Sequence, residues 1–260
     1  FRRWQTGGKL GANDTSAGVA FGSLCVHERP VFELERYLNS REFKKEFPET
    51  GEDIKVMGLR KGNSLTLTVS MAFVDRYIPD EASYFRAKEA VLDRIYDFIG
   101  NNFDFSEVKV NLNVLDQPGR GLGGVYLTVL GTSADSGDSG QVGRGNRVNG
   151  VIPLNRPMCS EAAAGKNPVS HVGKIYNLLT HKIADAIYRK VPGLKEVYVW
   201  LLSQIGRPVD EPLIAAAQVI LEPGTRLSEV SSSIEEVMNA ELDRIYEFTR
   251  ELARGKFPIC

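Results

Sequence analysis

The sequence predicts an α+β protein. Three observations predict it: short runs in which apolar and polar residues alternate, longer runs with apolar residues at helical spacing, and glycine or proline punctuation between them. The clearest alternation is Leu65, Leu67, Val69, Met71 and Phe73. Residues two apart point to the same side of a strand, so these share one apolar face.

The other elements follow in chain order. A helix is expected from Phe32 to Leu38, reaching as far as Phe47. Ile54 to Leu59 reads as a strand joined to the first across Lys61-Gly62-Asn63, a hairpin-like break. After the start signals Pro79 and Asp80, Tyr84, Val91, Leu92, Ile95, Phe98 and Ile99 mark a helix. Val108, Val110, Leu112 and Val114 alternate again, and glycine-rich Pro118 to Gly124 leads into a strand from Val125 to Leu130. The second half repeats this scheme in outline without a residue-level repeat. Val172, Ile175, Tyr176, Leu179, Ile183 and Ile187 mark a helix, and Val197 to Leu202 and Leu213 to Leu221 read as strands. Ile234, Val237, Ile245, Phe248 and Leu252 mark one long final helix. These stripes read as core.

Bulk composition bounds the function. At 260 residues, 42% hydrophobic and 25% charged, the chain is ordinary globular protein large enough for more than one core. A net charge of -1 and a pI near 6.4 argue against nucleic acid or an anionic membrane as partner, because that attraction needs a basic surface. Any anion site must be local. Cys25, Cys159 and Cys260 are scattered and form no C-x-x-C pair, which fits a reduced, cytoplasmic compartment. No apolar run is long enough to span a bilayer. The start at Phe1, without Met or an apolar leader, suggests a chain whose upstream part is missing.

One segment stands out chemically. Gly131 to Gly150 reads GTSADSGDSGQVGRGNRVNG, with six glycines and two arginines. Glycine lets several N–H groups converge on one anion, and arginine offers a fork matched to phosphate oxygens. Taken alone such a loop is a flexible hairpin, and Gly143 to Val148 only opens like a dinucleotide fingerprint. The surrounding charge changes the balance. From Ser139 to Ala184 there are six basic residues (Arg144, Arg147, Arg156, Lys166, Lys174, Lys182) and one acid, Glu161, a local charge of +5. Lys166, His171 and Lys174 crowd the start of a helix, where the backbone dipole ordinarily attracts acids. A bound phosphate would remove that conflict. His27 and His181 have no metal-ligand spacing and read as structural or surface residues.

Six strings together resemble one family: GANDTS (Gly11 to Ser16), GEDIKVMGLRKG (Gly51 to Gly62), YLTVLGTSA (Tyr126 to Ala134), GDSGQVGRGNRVNG (Gly137 to Gly150), AGKNPVSHVGKIYN (Ala164 to Asn177) and SQIGRPVDEP (Ser203 to Pro212). In order and spacing they resemble the archaeal-type methionine adenosyltransferases, the S-adenosylmethionine synthetases. The resemblance implies that fold, built of repeated α/β two-layer units related by pseudo-threefold symmetry. It implies that methionine sulfur attacks C5' of ATP, and that the departing triphosphate is hydrolysed to pyrophosphate and phosphate. Mg²⁺ and K⁺ are the family's usual ions. The partners implied are ATP, L-methionine and a second subunit, in a homodimer or higher oligomer with active sites at the subunit interface.

Carried over by motif, Arg144 and Arg147 hold the polyphosphate, with Lys166, His171 and Lys174 completing the cradle. Asp138 faces the methionine amino group, and Asp14 lies near methionine and ribose. Asp53 and Lys55 lie near ribose and the reacting C5' atom, and Ile205 packs against adenosine. Lys55, Arg144 and His171 are the catalytic candidates. Asp14 can equally cap a turn, and Asp53 can sit in a hairpin.

The sequence departs from the family at Ser139, where relatives commonly carry an acid, at Ser170, where they carry asparagine, and in its glycine-rich Gly119 to Gly124. The family's Gly-His-Pro-Asp motif, which brings a catalytic His and a metal-binding Asp, does not occur, so no metal ligand is named. By resemblance, residues 25–133 form one unit, 134–175 the surviving part of a central unit, and 1–24 with 176–260 a C-terminal unit. The leading expectation is an incomplete piece of the enzyme. The alternatives are a noncatalytic subunit or interaction module that retains the fold, and a nucleic-acid-binding α+β module, disfavoured by the charge.

Overall fold

The computed structural model describes residues 5–6, 9–12, 16–22, 24–25, 28–132, 148–153, 156–159 and 161–259. The chain forms two compact units, the first of residues 1–24 with 141–260 and the second of residues 25–140. The first unit opens with the antiparallel ribbon β1 (Gln5–Thr6) and β2 (Lys9–Leu10), followed by β3 (Ala17–Gly22).

The second unit starts with two helices, α1 (Glu28–Leu38) and α2 (Arg41–Glu46), where the sequence predicts one that reaches Phe47. Ser40 divides them. Its backbone is extended, and its hydroxyl accepts the Phe43 N–H at 3.2 Å, which starts a new helix. Then β4 (Thr50–Lys61) and β5 (Ser64–Val74) form an antiparallel hairpin that turns at Gly62, φ +60°. Helix α3 (Glu81–Asn102) begins at Asp80, whose carboxylate accepts the Ser83 N–H at 2.6 Å. It returns the chain so that β6 (Glu107–Leu112) lies parallel to β5. Leu65, Leu67, Val69, Met71 and Phe73 are at most 1% exposed and share one core with Tyr84, Val91, Ile95 and Ile99 of α3. Each such side chain contributes about 2 kcal/mol of burial.

Two strands are shorter than their alternation suggests. β6 stops at Leu112 because Asn113 turns to φ +43° and pairs its side-chain amide with the Met71 N–H and C=O at 2.9 and 2.8 Å. The strand expected from Val125 to Leu130 is only β7 (Leu127–Thr128). Its partner β5 ends at Val74, opposite Thr128, so Val129 and Leu130 run past the available edge and are exposed.

The chain then returns to the first unit with α4 (Val172–Lys190), β8 (Leu194–Leu202) and β9 (Ile214–Leu221). The order β3-β8-β9 is antiparallel throughout, with Ala20 opposite Val199. β3 lies against α4 at backbone distance. A Cβ on Gly18 would come within 2.3 Å of the Tyr176 carbonyl oxygen, and one on Gly22 within 2.3 Å of that of Ala184. The single final helix expected over Ile234 to Leu252 is two, α5 (Leu227–Asp243) and α6 (Ile245–Ala253). They part at Arg244, ψ 10°, with Leu242 and Ile245 on either side still buried. Both units are helix-covered sheets, and among the described residues the parallel pairs lie in the second.

Candidate functional site

Three stretches of the first unit that stand apart in sequence meet in space. The Ala12 N–H donates to the Arg207 carbonyl at 2.7 Å, and the Gly206 N–H donates to the Ala12 carbonyl at 3.0 Å. Four residues on, the Ser16 N–H donates to Ser203 Oγ at 2.8 Å, while the Ser203 N–H and hydroxyl both donate to the Ser16 carbonyl at 3.0 Å. The loop that begins at Gly11 is therefore pinned at both ends to the loop 203–208. A Cβ on Gly173 would stand 3.1 Å from Ser16 Oγ and 3.0 Å from the His171 ring, so the start of α4 completes the junction. Ile205 lies on this loop with 56% of its surface exposed.

The cations at the start of α4 are only partly committed. His171 is the N-cap: its Nδ1 accepts the Gly173 N–H at 3.1 Å, so the ring itself satisfies part of the helix terminus. Accepting through Nδ1 leaves the ring's other nitrogen as the donor. Lys166 pairs with Glu161 at 2.7 Å and also donates to the Ala162 carbonyl at 2.5 Å. Lys174 is 5% exposed and donates to the Lys166 carbonyl at 2.8 Å, one acceptor for three N–H bonds among the described residues. Burial, and then the positive charge of Lys166, hold its ammonium below the ordinary lysine range. No acid occupies the first turn of α4. The conflict read from the sequence is thus relieved at Lys166 by Glu161 and persists at Lys174.

The second unit holds Asp53 and Lys55 on β4. Alternation puts both on one side of the strand, and Lys55 Nζ reaches both Asp53 oxygens at 2.8 Å. The Lys55 side chain is 54% exposed, so the pair faces solvent and adds little stability. Asp53 sits in a bulge, not in the hairpin turn. Thr50 opposes Phe73 and Ile54 opposes Met71, which leaves Gly51, Glu52 and Asp53 against Ala72 alone. The Asp53 N–H donates instead to the Gly131 carbonyl at 3.2 Å. Gly131 takes φ +82°, and its carbonyl oxygen would lie 2.5 Å from a Cβ on Gly51. YLTVLGTSA and GEDIKVMGLRKG therefore touch through backbone.

Asp14, Asp138, Arg144 and Arg147 lie outside the described residues. Sequence reasoning missed three participants: the Ser16–Ser203 lock, Glu161 as the partner of Lys166, and the bulge under Asp53. The lock and the bulge depend on pairing between distant segments, and the Lys166–Glu161 pair depends on which way two nearby side chains turn. His181, on α4, lies with its ring 6.2 Å from that of Phe21, and burial pushes its imidazole down to about 4. Among the described residues, no group of three His, Cys, Asp or Glu could hold a metal ion, and no helix is long and apolar enough to cross a membrane.

Comparison with known proteins bears on both units at once. A family model described as S-adenosylmethionine synthetase (AdoMet synthetase) matches residues 1–256. The chain is 51% identical to an S-adenosylmethionine synthase of Caldivirga maquilingensis over 96% of this chain and 61% of that protein. Against those of Thermococcus onnurineus and Methanothermobacter thermautotrophicus the identity is 49%, over 95% and 94% of this chain. The chain thus spans 60–61% of the length of these curated relatives. Among solved structures, one titled as an unusual S-adenosylmethionine synthetase from Campylobacter jejuni superposes with a TM-score of 0.54 at 19% identity, covering 94% of this chain and 62% of that one. At that identity the likeness concerns the fold.

Proposed function

The chain belongs to the S-adenosylmethionine synthetase family, and from that premise we propose that the protein carrying it is a methionine adenosyltransferase. It forms S-adenosylmethionine from ATP and L-methionine and releases pyrophosphate and phosphate. The observation that carries this reading is the start of α4, where nearly buried Lys174 stands beside Lys166 with no acid in the first turn. Such a site is built for an anion.

In this reading the methionine sulfur forms its bond to C5' as the bond from C5' to the triphosphate oxygen breaks. The electron pair leaves on the triphosphate, so the greatest need is stabilisation of a departing polyanion. Lys166 and Lys174, with Arg144 and Arg147 from the glycine-rich segment, supply it. His171 orients the helix start through Nδ1 and keeps its other nitrogen for a phosphate oxygen. Asp53 and Lys55 meet the ribose and the C5' region, Ile205 offers an apolar surface to the adenine, and Asp14 and Asp138 receive the methionine. Mg²⁺ and K⁺ are the ions expected for the family and would add positive charge beside the triphosphate. The described residues offer no ligand cluster, so no step is assigned to them.

The same reading makes residues 134–175 part of a central unit and completes the active site with a second subunit, in a cytoplasmic enzyme. The test is intact mass spectrometry of the purified protein, then S-adenosylmethionine formation from ATP and methionine. Product formation that needs both substrates is expected. A folded protein of verified full length that binds ATP and forms no product would contradict the proposal and favour a noncatalytic module.

A further inference from the structure

The bulge at Gly51–Asp53 needs something to hold it, because a strand interrupted in this way has backbone groups that its neighbour cannot pair. The holding group comes from α2. Lys44 Nζ donates to the Gly51 carbonyl at 2.6 Å, to Thr50 Oγ1 at 3.1 Å and to the Thr50 carbonyl at 3.3 Å. All three ammonium hydrogens are used within two successive residues of β4. The next carbonyl, that of Glu52, accepts from Asn39 Nδ2 at 3.1 Å, and the same amide group donates to Glu35 at 2.7 Å. The following residue, Asp53, is fixed through its N–H to Gly131. The clamp is costly, since Asn39 Oδ1 is buried with no partner among the described residues. Lys44 touches nothing on the exposed face of the strand in these bonds; it acts from the backbone side.

We infer that Lys44 is a positioning residue for the Asp53–Lys55 pair, its ammonium setting the bulge that fixes where the two side chains stand. This rests on the reading of Asp53 and Lys55 as active-site residues. The charged groups that face Lys44 are Glu52 on β4 and Glu35 on α1, and both favour its protonated form. Desolvation outweighs them and brings Lys44 down to about 8. Only the protonated group has three hydrogens to give, so the clamp loosens as pH rises through that value.

A lysine that merely stabilised the fold would behave differently. Because its folded value lies below the ordinary 10.5, the unfolded chain binds more protons between about 8 and 10.5, and this group's contribution to stability rises with pH across that window. Activity is predicted to fall over the same window. The opposite signs separate positioning from structure.

The experiment measures kcat against pH for S-adenosylmethionine formation by the protein carrying this sequence, in wild type, Lys44→Met, Lys44→Arg and Lys55→Ala, together with hydrogen exchange at the Asp53 amide. Wild type should lose kcat as pH rises through about 8. Lys44→Met should lower kcat about tenfold or more at neutral pH, abolish that step and speed exchange at Asp53. Lys44→Arg should restore most of the rate and move the step upward. Wild-type kcat and pH profile in Lys44→Met, with kcat of Lys55→Ala lowered about 100-fold, would overturn the clamp and leave the site standing. Wild-type kcat in Lys55→Ala would overturn the site and the clamp with it. Should Lys44→Met not fold, a flat wild-type profile from pH 7 to about 9.5 overturns the inference by itself.

Discussion

The start of α4 in the first unit and the bulged start of β4 in the second each carry a lysine to which the proposed function gives a role, and they hold it in opposite ways. Lys174 is nearly buried, meets a carbonyl and repels Lys166; Lys55 is half exposed and is neutralised by both oxygens of Asp53. Among the described residues the first arrangement gives Lys174 no acidic partner, so an anion gains from it. The second has almost no net charge, so it gains little from a polyanion and can serve to orient a polar group. A count of basic residues along the chain treats the two lysines alike. Their partners divide them into an electrostatic role and an orienting role.

The largest expected effect breaks this pairing on the orienting side. Lys55→Ala should lower kcat by about 100-fold, on the order of 3 kcal/mol, while tripolyphosphate affinity stays at the wild-type value. Steady-state kinetics beside calorimetric titration would show the split.

Next comes an acid effect confined to α4. His181 has its value pushed to about 4 from 6.5, so the unfolded chain binds more protons between those values and stability falls as pH drops through that window. About 2.5 kcal/mol should be gone by about pH 4.5. Denaturant unfolding of wild type and His181→Leu at neutral and acid pH would measure it, with the variant expected to show a weaker acid loss.

Lys174→Met sharpens the electrostatic side. It should weaken tripolyphosphate binding about tenfold without lowering stability, because the charge removed is desolvated and repelled by Lys166. Bound anion should also raise the Lys174 value, so binding takes up a proton at alkaline pH; titration in buffers of different ionisation enthalpy reads that uptake. The smallest effect belongs to the cap. His171→Ala should cost about 1 kcal/mol in thermal or denaturant unfolding, and His171→Asn should recover most of it.

Much of this was legible in the sequence where interactions are local. The alternation from Leu65 to Phe73 and the stripes of α3 and α4 reflect one face meeting one core, and the +5 segment pointed to the start of α4. Other features depend on distant partners. β3 has no local signal: Ala17–Gly22 is small and glycine-rich, and it is a strand because β8 pairs with it and α4 approaches Gly18 and Gly22 closely. The breaks at Ser40 and Arg244 fall inside continuous apolar patterns, and β7 is short because its partner runs out. The same holds at the site. Lys166, His171 and Lys174 are legible as local charge, whereas the Ser16–Ser203 lock and the Lys44 clamp arise from side chains aimed at particular backbone groups, and Glu161 is a partner because its carboxylate turns to the Lys166 ammonium. No composition or spacing rule encodes that aim.

Hydrogen exchange on this chain, with and without tripolyphosphate, tests the contrast most directly. Protection of the amides from Lys166 to Ile175, with no change from Ile54 to Lys61, is the predicted result. Equal protection in both places, or none at the start of α4, would contradict it.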